Sequence, residues 1–191
     1  MWLELDKQST LYLNSLHHHS LDKVMVFISN KPSWYPLYAI LIGLIIFKER
    51  KKCWLILLNI ALLITLSDRI SSGLIKPLAM RLRPCHEALM YPFLHLPDGC
   101  GGSYGFVSSH AANVFAISIF LFFYFNKNKW TYLLFFWAAL VSYSRIYLGA
   151  HYLGDILGGA LLGAGLGWLV YRSYLVFYQK IFQSPNIFNT K

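Results

Sequence analysis

The sequence predicts an all-α integral membrane bundle of about five transmembrane helices, preceded by an N-terminal interfacial helix. Three observations carry this prediction. Of the 191 residues, 57% are hydrophobic and the mean hydropathy is +0.47, far above a soluble domain. Long apolar stretches are separated by short basic turns, as membrane topology requires. The remaining ionisable residues gather near the ends of those stretches, where polar groups meet the headgroup region. The length suits one domain.

Residues 1–32 form an N-terminal interfacial segment. The run Val24–Ile28 is too short to cross a hydrocarbon core that needs roughly 20 residues, and Asp22, Lys23 and Lys31 flank it. An amphipathic helix lying in the interface is expected. The triplet His17-His18-His19 lacks acidic or thiol partners nearby and reads as solvated surface. No charged-then-apolar leader with a small-residue cleavage site opens the chain, so no cleaved signal is expected.

Residues 33–178 form the transmembrane domain, with spans expected at 33–47, 53–75, 111–125, 130–143 and 152–176, and 179–191 as a cytoplasmic tail. The basic run Lys48-Glu49-Arg50-Lys51-Lys52 is expected on the cytoplasmic side, and counting spans from it places the turn at 126–129 there too. Lys76, Arg83, His110, Arg145, His151 and Asp155 then collect at the opposite, outer face. Asp68, inside the second span, is expected to pair with a neighbouring helix. In the fifth span Asp155, Gly159, Gly163 and Gly167 recur every four residues, a small-residue stripe that admits a close helix neighbour.

The connection 77–107 is long, polar and rich in Pro and Gly. On an outward, oxidising side its Cys85 and Cys100 are expected to form a disulfide, while Cys53, beside the inner basic run, stays reduced. The net charge of +9 does not point to nucleic acid, because the basic residues form no exposed block with interleaved aromatics. It fits loop topology and an anionic substrate.

The chemistry concentrates in 144–155. If the segment from His151 is helical, His151 and Asp155 lie four residues apart on one face. The carboxylate then fixes one imidazole nitrogen as N–H and leaves the other free to attack or to bind a metal. Arg145 adds a fork of donors suited to phosphate. A zinc site from His110, His151 and Asp155 has a plausible ligand set, but the adjacent cations would repel the ion.

In order, the chain reads Lys76-x6-Arg83-Pro84, then Ser108-Ser109-His110, then Ser144-Arg145-x5-His151-x3-Asp155. This resembles the type 2 phosphatidic acid phosphatase superfamily, with its signature K-x6-R-P, P-S-G-H and S-R-x5-H-x3-D. The first and third parts match at every specified position. The second departs twice, with Val107 in place of Pro and Ser109 in place of Gly. The resemblance spans about residues 53–172 and implies a helical bundle and a phosphohydrolase that needs neither metal nor cofactor. It further implies His151 as nucleophile, Asp155 as its orienting carboxylate and His110 as acid and base. Lys76, Arg83, Arg145, Ser108 and the Ser109 amide would hold the phosphate. The expected partners are a lipid phosphate or pyrophosphate and the surrounding lipids, in a bacterial cytoplasmic membrane with the site facing outward. Small size and the lack of an inserted domain point to undecaprenyl diphosphate, with phosphatidylglycerol phosphate, phosphatidic acid and lipid A phosphate as alternatives. A soluble vanadate-dependent haloperoxidase is at odds with the spans. An anion transporter leaves the spacing of His151, Asp155 and His110 unexplained.

Overall fold

The computed structural model describes residues 2–182, which form eight α-helices and no extended sheet. Of the tail expected over 179–191, residues 183–191 lie outside the described residues. Residues 179–182 continue the last helix.

The N-terminal segment is two helices where the sequence suggested one: α1 (Trp2–Ser15) and α2 (His19–Ser29). The break falls at the histidine triplet, where the His18 side chain caps α2 by accepting the Ser20 N–H at 3.3 Å. His17 stacks on His95 with ring centroids 3.9 Å apart. Two of the three histidines are thus structural although solvent-exposed. Helix α1 is amphipathic with an inverted sense. Trp2, Leu3, Leu5 and Tyr12 are exposed, whereas Thr10 and Asn14 are fully buried. An apolar outer face suits contact with lipid, and the polar stripe Asp6, Thr10, Asn14, at intervals of four, faces the protein.

Helix α3 (Tyr35–Glu49) begins with Pro36 in its first turn and ends at the basic run. After that turn α4 (Cys53–Asp68) continues through a π-helical segment, Arg69–Ile75, into the short α5 (Lys76–Ala79). The helix stops because Met80 adopts the left-handed conformation at φ 45°, its N–H bonded to the Lys76 carbonyl. Helices α6 (Ser109–Tyr124), α7 (Tyr132–Tyr147) and α8 (Leu153–Phe182) complete the bundle. The stretches Lys31–Ala79 and Leu153–Phe182 are long and apolar enough to cross a membrane, and α6 is a shorter apolar helix. Asp68 is half-buried and makes no ion pair among the described residues, contrary to the pairing expected for it.

Helices α6 and α8 form the central pair. Gly159, Gly163 and Gly167 stack on the carbonyls of Ser108, Ala112 and Ala116, so two series with period four run face to face. A Cβ at Gly167 would stand 2.5 Å from the Ala116 oxygen. The glycine stripe is therefore the contact seam expected from the sequence.

At one end of the bundle the basic turn after α3 meets the C-termini of α6 and α8. Lys48 donates to the Tyr124 carbonyl at 3.3 Å, a cation on a helix C-terminus. Tyr124 donates to Glu49 at 2.8 Å, and Lys52 lies 4.9 Å from the Phe182 ring centroid. Because the helices alternate in direction, the end of α4–α5, the start of α6, the end of α7 and the start of α8 converge on the other end.

Candidate active site

All eight residues singled out in the sequence belong to that opposite end. Lys76 opens α5, Ser108 and Ser109 start α6 with His110 one residue on, and Arg145 lies in the last turn of α7. His151 lies in the connection to α8, and Asp155 in the first turn of α8. The connection 80–108 brings Arg83 in. Leu82 and Tyr104 form an isolated antiparallel bridge, with Arg83 N–H on the Ser103 carbonyl at 3.0 Å and Gly105 N–H on the Arg81 carbonyl at 2.8 Å. Cys85 and Cys100 are joined as the expected disulfide, Cα atoms 5.8 Å apart, and Cys53 is free. The disulfide fastens the same loop, and neither sulfur is a thiolate able to join the nearby His86 in holding a metal. Arg83 is further held by its Nε on the Tyr104 carbonyl at 3.2 Å.

The His151–Asp155 pair differs in construction from the helical i, i+4 pair expected. His151 precedes α8 and is not helical. Its Nδ1 lies 3.3 Å from Asp155 Oδ2, which also accepts the Tyr152 N–H at 3.1 Å. Asp155 at the third helical position reaches back to the N-terminal flank, as in a capping box. The same carboxylate caps the helix and orients the imidazole, and Nε2 is the ring nitrogen directed away from Asp155. Both side chains are buried, at 1% and 0% exposure, so the pair is shielded from competing water hydrogen bonds.

Ser108 is the N-cap of α6. Its Oγ accepts the Ala111 N–H at 3.4 Å, and its N–H donates to the Asp155 carbonyl at 3.0 Å, tying the second motif to the third. Ser109 follows as the first helical residue, where an N–H has no intrahelical partner. That end of α6 is suited to an anion. Arg145 donates through Nη1 to Ser29 Oγ, and its buried Nε has no partner among the described residues. The charges of Arg83, Arg145 and Lys76 all bear on His151.

Three contributors were not read from the sequence. Arg81 donates from Nη1 to Asp155 Oδ1 at 2.9 Å, on the side away from His151. Its only sequence signal is its place two residues before Arg83 in a loop. Ser29 holds Arg145 from α2, and Asp6 of α1 takes the other arm of Arg81 at 2.6 Å.

Two cavities meet at His110. A polar one of about 470 Å³ is bounded by Ser29, Lys31, Asp98, His110 and Arg145. An apolar one of about 570 Å³ runs from His110 and Lys31 down among α3, α4, α6 and α7, past Tyr38, Ile45, Ile60 and Ile117.

The family model for the PAP2 superfamily matches residues 54–178. A lipid A 4'-phosphatase of Bacteroides thetaiotaomicron is 36% identical over 173 residues, covering 88% of this chain and 76% of that protein. An undecaprenyl-diphosphatase of Sulfolobus acidocaldarius is 32% identical over 157 residues, covering 78% and 69%. Among solved structures, the transmembrane PAP2-type phosphatidylglycerolphosphate phosphatase of Bacillus subtilis superposes with a TM-score of 0.65 at 25% identity, covering 96% of this chain and 89% of that one. With its three motifs gathered at one end of a helical bundle, the chain belongs to the PAP2 superfamily of phosphatases.

Proposed function

We propose that the protein removes a phosphate monoester from a membrane glycolipid of the lipid A type, at the outer leaflet of a bacterial cytoplasmic membrane that its bundle crosses five times. The observation that carries the substrate class is the pair of cavities meeting at His110. One is polar and cationic, the other long and apolar. Of the motif residues His110 and Arg145 line them while His151, Lys76 and Arg83 do not, so an amphiphile seated across the junction would bring its phosphate to the His110 side of the cluster. The similarity to a lipid A 4'-phosphatase favours the glycolipid over the undecaprenyl carrier that small size alone suggested. Undecaprenyl diphosphate remains the second reading, supported by the more distant relative of that name.

The reaction follows from the side chains. Lys76, Arg83, Arg145, the Ser108 hydroxyl and the free N–H at Ser109 neutralise the phosphoryl oxygens. His151 Nε2 attacks phosphorus while the bond to the lipid oxygen breaks, and protonated His110 gives its proton to that oxygen. Neutral His110 then takes a proton from water, which attacks phosphohistidine and releases inorganic phosphate. Asp155 keeps the Nδ1 proton directed at itself throughout.

The test is phosphate release from lipid A, undecaprenyl diphosphate and phosphatidylglycerol phosphate in detergent micelles, with and without chelator. Lipid A is expected to be turned over best, with loss of one phosphate by mass spectrometry and no effect of chelator. Preference for the diphosphate would reverse the two readings. His151→Ala is expected to abolish turnover and trapping of phosphohistidine. His110→Ala is expected to slow lipid turnover by on the order of 10² to 10⁴, with partial rescue on an aryl phosphate whose leaving group needs no proton.

A further inference from the structure

We propose that the polar stripe of α1 and Arg81 together form a positioning frame for the His151–Asp155 pair, making the N-terminal helix a working part of the active site. The proposal rests on His151 being the attacking group. Helix α1 lies outside residues 54–178, the part of the chain matched by the family model.

The frame has two halves. The first is backbone capping. The connection bearing His151 is flanked by the C-terminus of α7 and the N-terminus of α8, where helices leave carbonyls and N–H groups unpaired. Asn14 Nδ2 donates to the Ile146 and Tyr147 carbonyls at 3.1 and 2.8 Å. Thr10 Oγ1 accepts the Leu153 N–H at 3.0 Å, and Asp6 Oδ1 accepts the Gly154 N–H at 2.8 Å. Three residues on one face of α1 therefore close both helix ends around the histidine.

The second half is a chain of charge. Asp155 Oδ2 faces His151 and its Oδ1 faces Arg81, whose other arm faces Asp6. A single guanidinium fork spans two carboxylates, and its carbon stacks 3.9 Å from the Tyr152 ring centroid. Tyr152 in turn donates to Glu87, which pairs with Lys7 of α1. Arg81 fixes the rotation of the Asp155 carboxylate, and with it the direction of the imidazole. Asp6 fixes Arg81. Neither touches the reacting atoms in this arrangement, so both are positioning residues.

Gly154 supplies an independent handle. A Cβ there would fall 2.7 Å from Asp6 Oδ2, the end of a flexible side chain. Gly154→Ala therefore displaces the Asp6 carboxylate with little disturbance of the fold.

The test measures kcat and KM of the purified full chain on para-nitrophenyl phosphate, with thermal unfolding of each variant beside it. Arg81→Met is expected to lower kcat by on the order of 10²-fold with KM little changed. Arg81→Lys is expected to recover part of that loss. Asp6→Asn, which keeps an oxygen to accept the Gly154 N–H, is expected to lower kcat by a smaller factor and to add nothing further in the Arg81→Met background. Gly154→Ala, which also disturbs that cap, is expected to lower kcat in either background. Should Arg81→Met fail to fold, the Asp6→Asn and Gly154→Ala variants carry the test by the same fall in kcat at constant KM. An unchanged kcat in folded variants overturns the frame. So does a rise in KM alone, which would make Arg81 a substrate contact, and so do independent, multiplying effects of Asp6 and Arg81. His151→Ala is run in parallel. Its turnover would overturn the reading of His151 and the frame with it, whereas an inactive His151→Ala beside unimpaired Arg81→Met overturns the frame alone.

Discussion

Gly163 of α8 lies directly on the Ala112 carbonyl of α6, close enough that an ideal Cβ would land on the oxygen. Helix α6 carries Ser108 and His110 while α8 carries Asp155, so this contact sets the distance between the second and third motifs. Gly163→Val is expected to destabilise the protein by about 1–3 kcal/mol through overpacking, and to lower activity by separating His110 from His151. Gly165, with nothing within 4 Å of its added Cβ, is the control. Gly165→Ala is expected to be neutral or slightly stabilising in a helix interior. Thermal unfolding and turnover of the two variants check both statements.

That seam was legible in the sequence because a missing Cβ at every fourth residue has few uses other than close approach. The gathering of Lys76, Arg83, His110, Arg145, His151 and Asp155 at one end was legible from alternating spans alone. The role of α1 was not. Asp6, Thr10 and Asn14 look like a solvated face, and their partners are backbone groups at 146, 147, 153 and 154, which leave no mark in side-chain identity. Arg81 was hidden for a related reason, since only the folded loop shows that it turns toward Asp155 while Arg83 is held on Tyr104. Asp68 makes no ion pair among the described residues, where pairing with a neighbouring helix was expected, because a half-buried carboxylate keeps access to solvent.

The disulfide predicts a redox dependence. Cys85 and Cys100 are 15 residues apart, and closing such a loop contributes roughly 3 kcal/mol in the chain-entropy model. Reduction is expected to lower the unfolding temperature and to loosen the loop that presents Arg83. Activity of the reduced protein is therefore expected to show a higher KM, with kcat less affected. Unfolding and kinetics with and without dithiothreitol, and with Cys85→Ser/Cys100→Ser, make the comparison.

Asp22 predicts an acid limit to the docking of α2. Its carboxylate accepts from His95 at 2.7 Å and from Tyr147 at 2.7 Å, and these bonds hold it below the ordinary carboxylate range. A depressed folded-state value means the contribution is present above the unfolded value of about 3.9 and is lost as pH falls through the lower folded value. Contact of α2 with the loop at His95 is thus expected to persist to below pH 4. In Asp22→Asn this acid-side loss disappears, because the group no longer titrates. Hydrogen exchange of residues 18–22 at pH 5 and pH 3, in both forms, reads the difference.

The replacement of the family glycine by Ser109 allows the backbone donor to be tested directly. Ser109 is the first residue of α6 and takes no positive φ, so the site does not need the conformational freedom of glycine there. Ser109→Gly is accordingly expected to keep activity near the starting level. Proline is well tolerated at a first helical position but lacks the N–H. The preceding Ser108 is extended, at φ −70° and ψ 113°, which suits a residue before proline. Ser109→Pro therefore removes one N–H while leaving the helix start and the Ser108 cap in place. If that N–H stabilises charge on the transferring phosphoryl group, kcat falls by on the order of 10² to 10³, the usual loss for one oxyanion donor. Unfolding is expected to be unchanged. Unimpaired turnover by a folded Ser109→Pro would remove the α6 N-terminus from the phosphate site and leave Lys76, Arg83 and Arg145 to hold it.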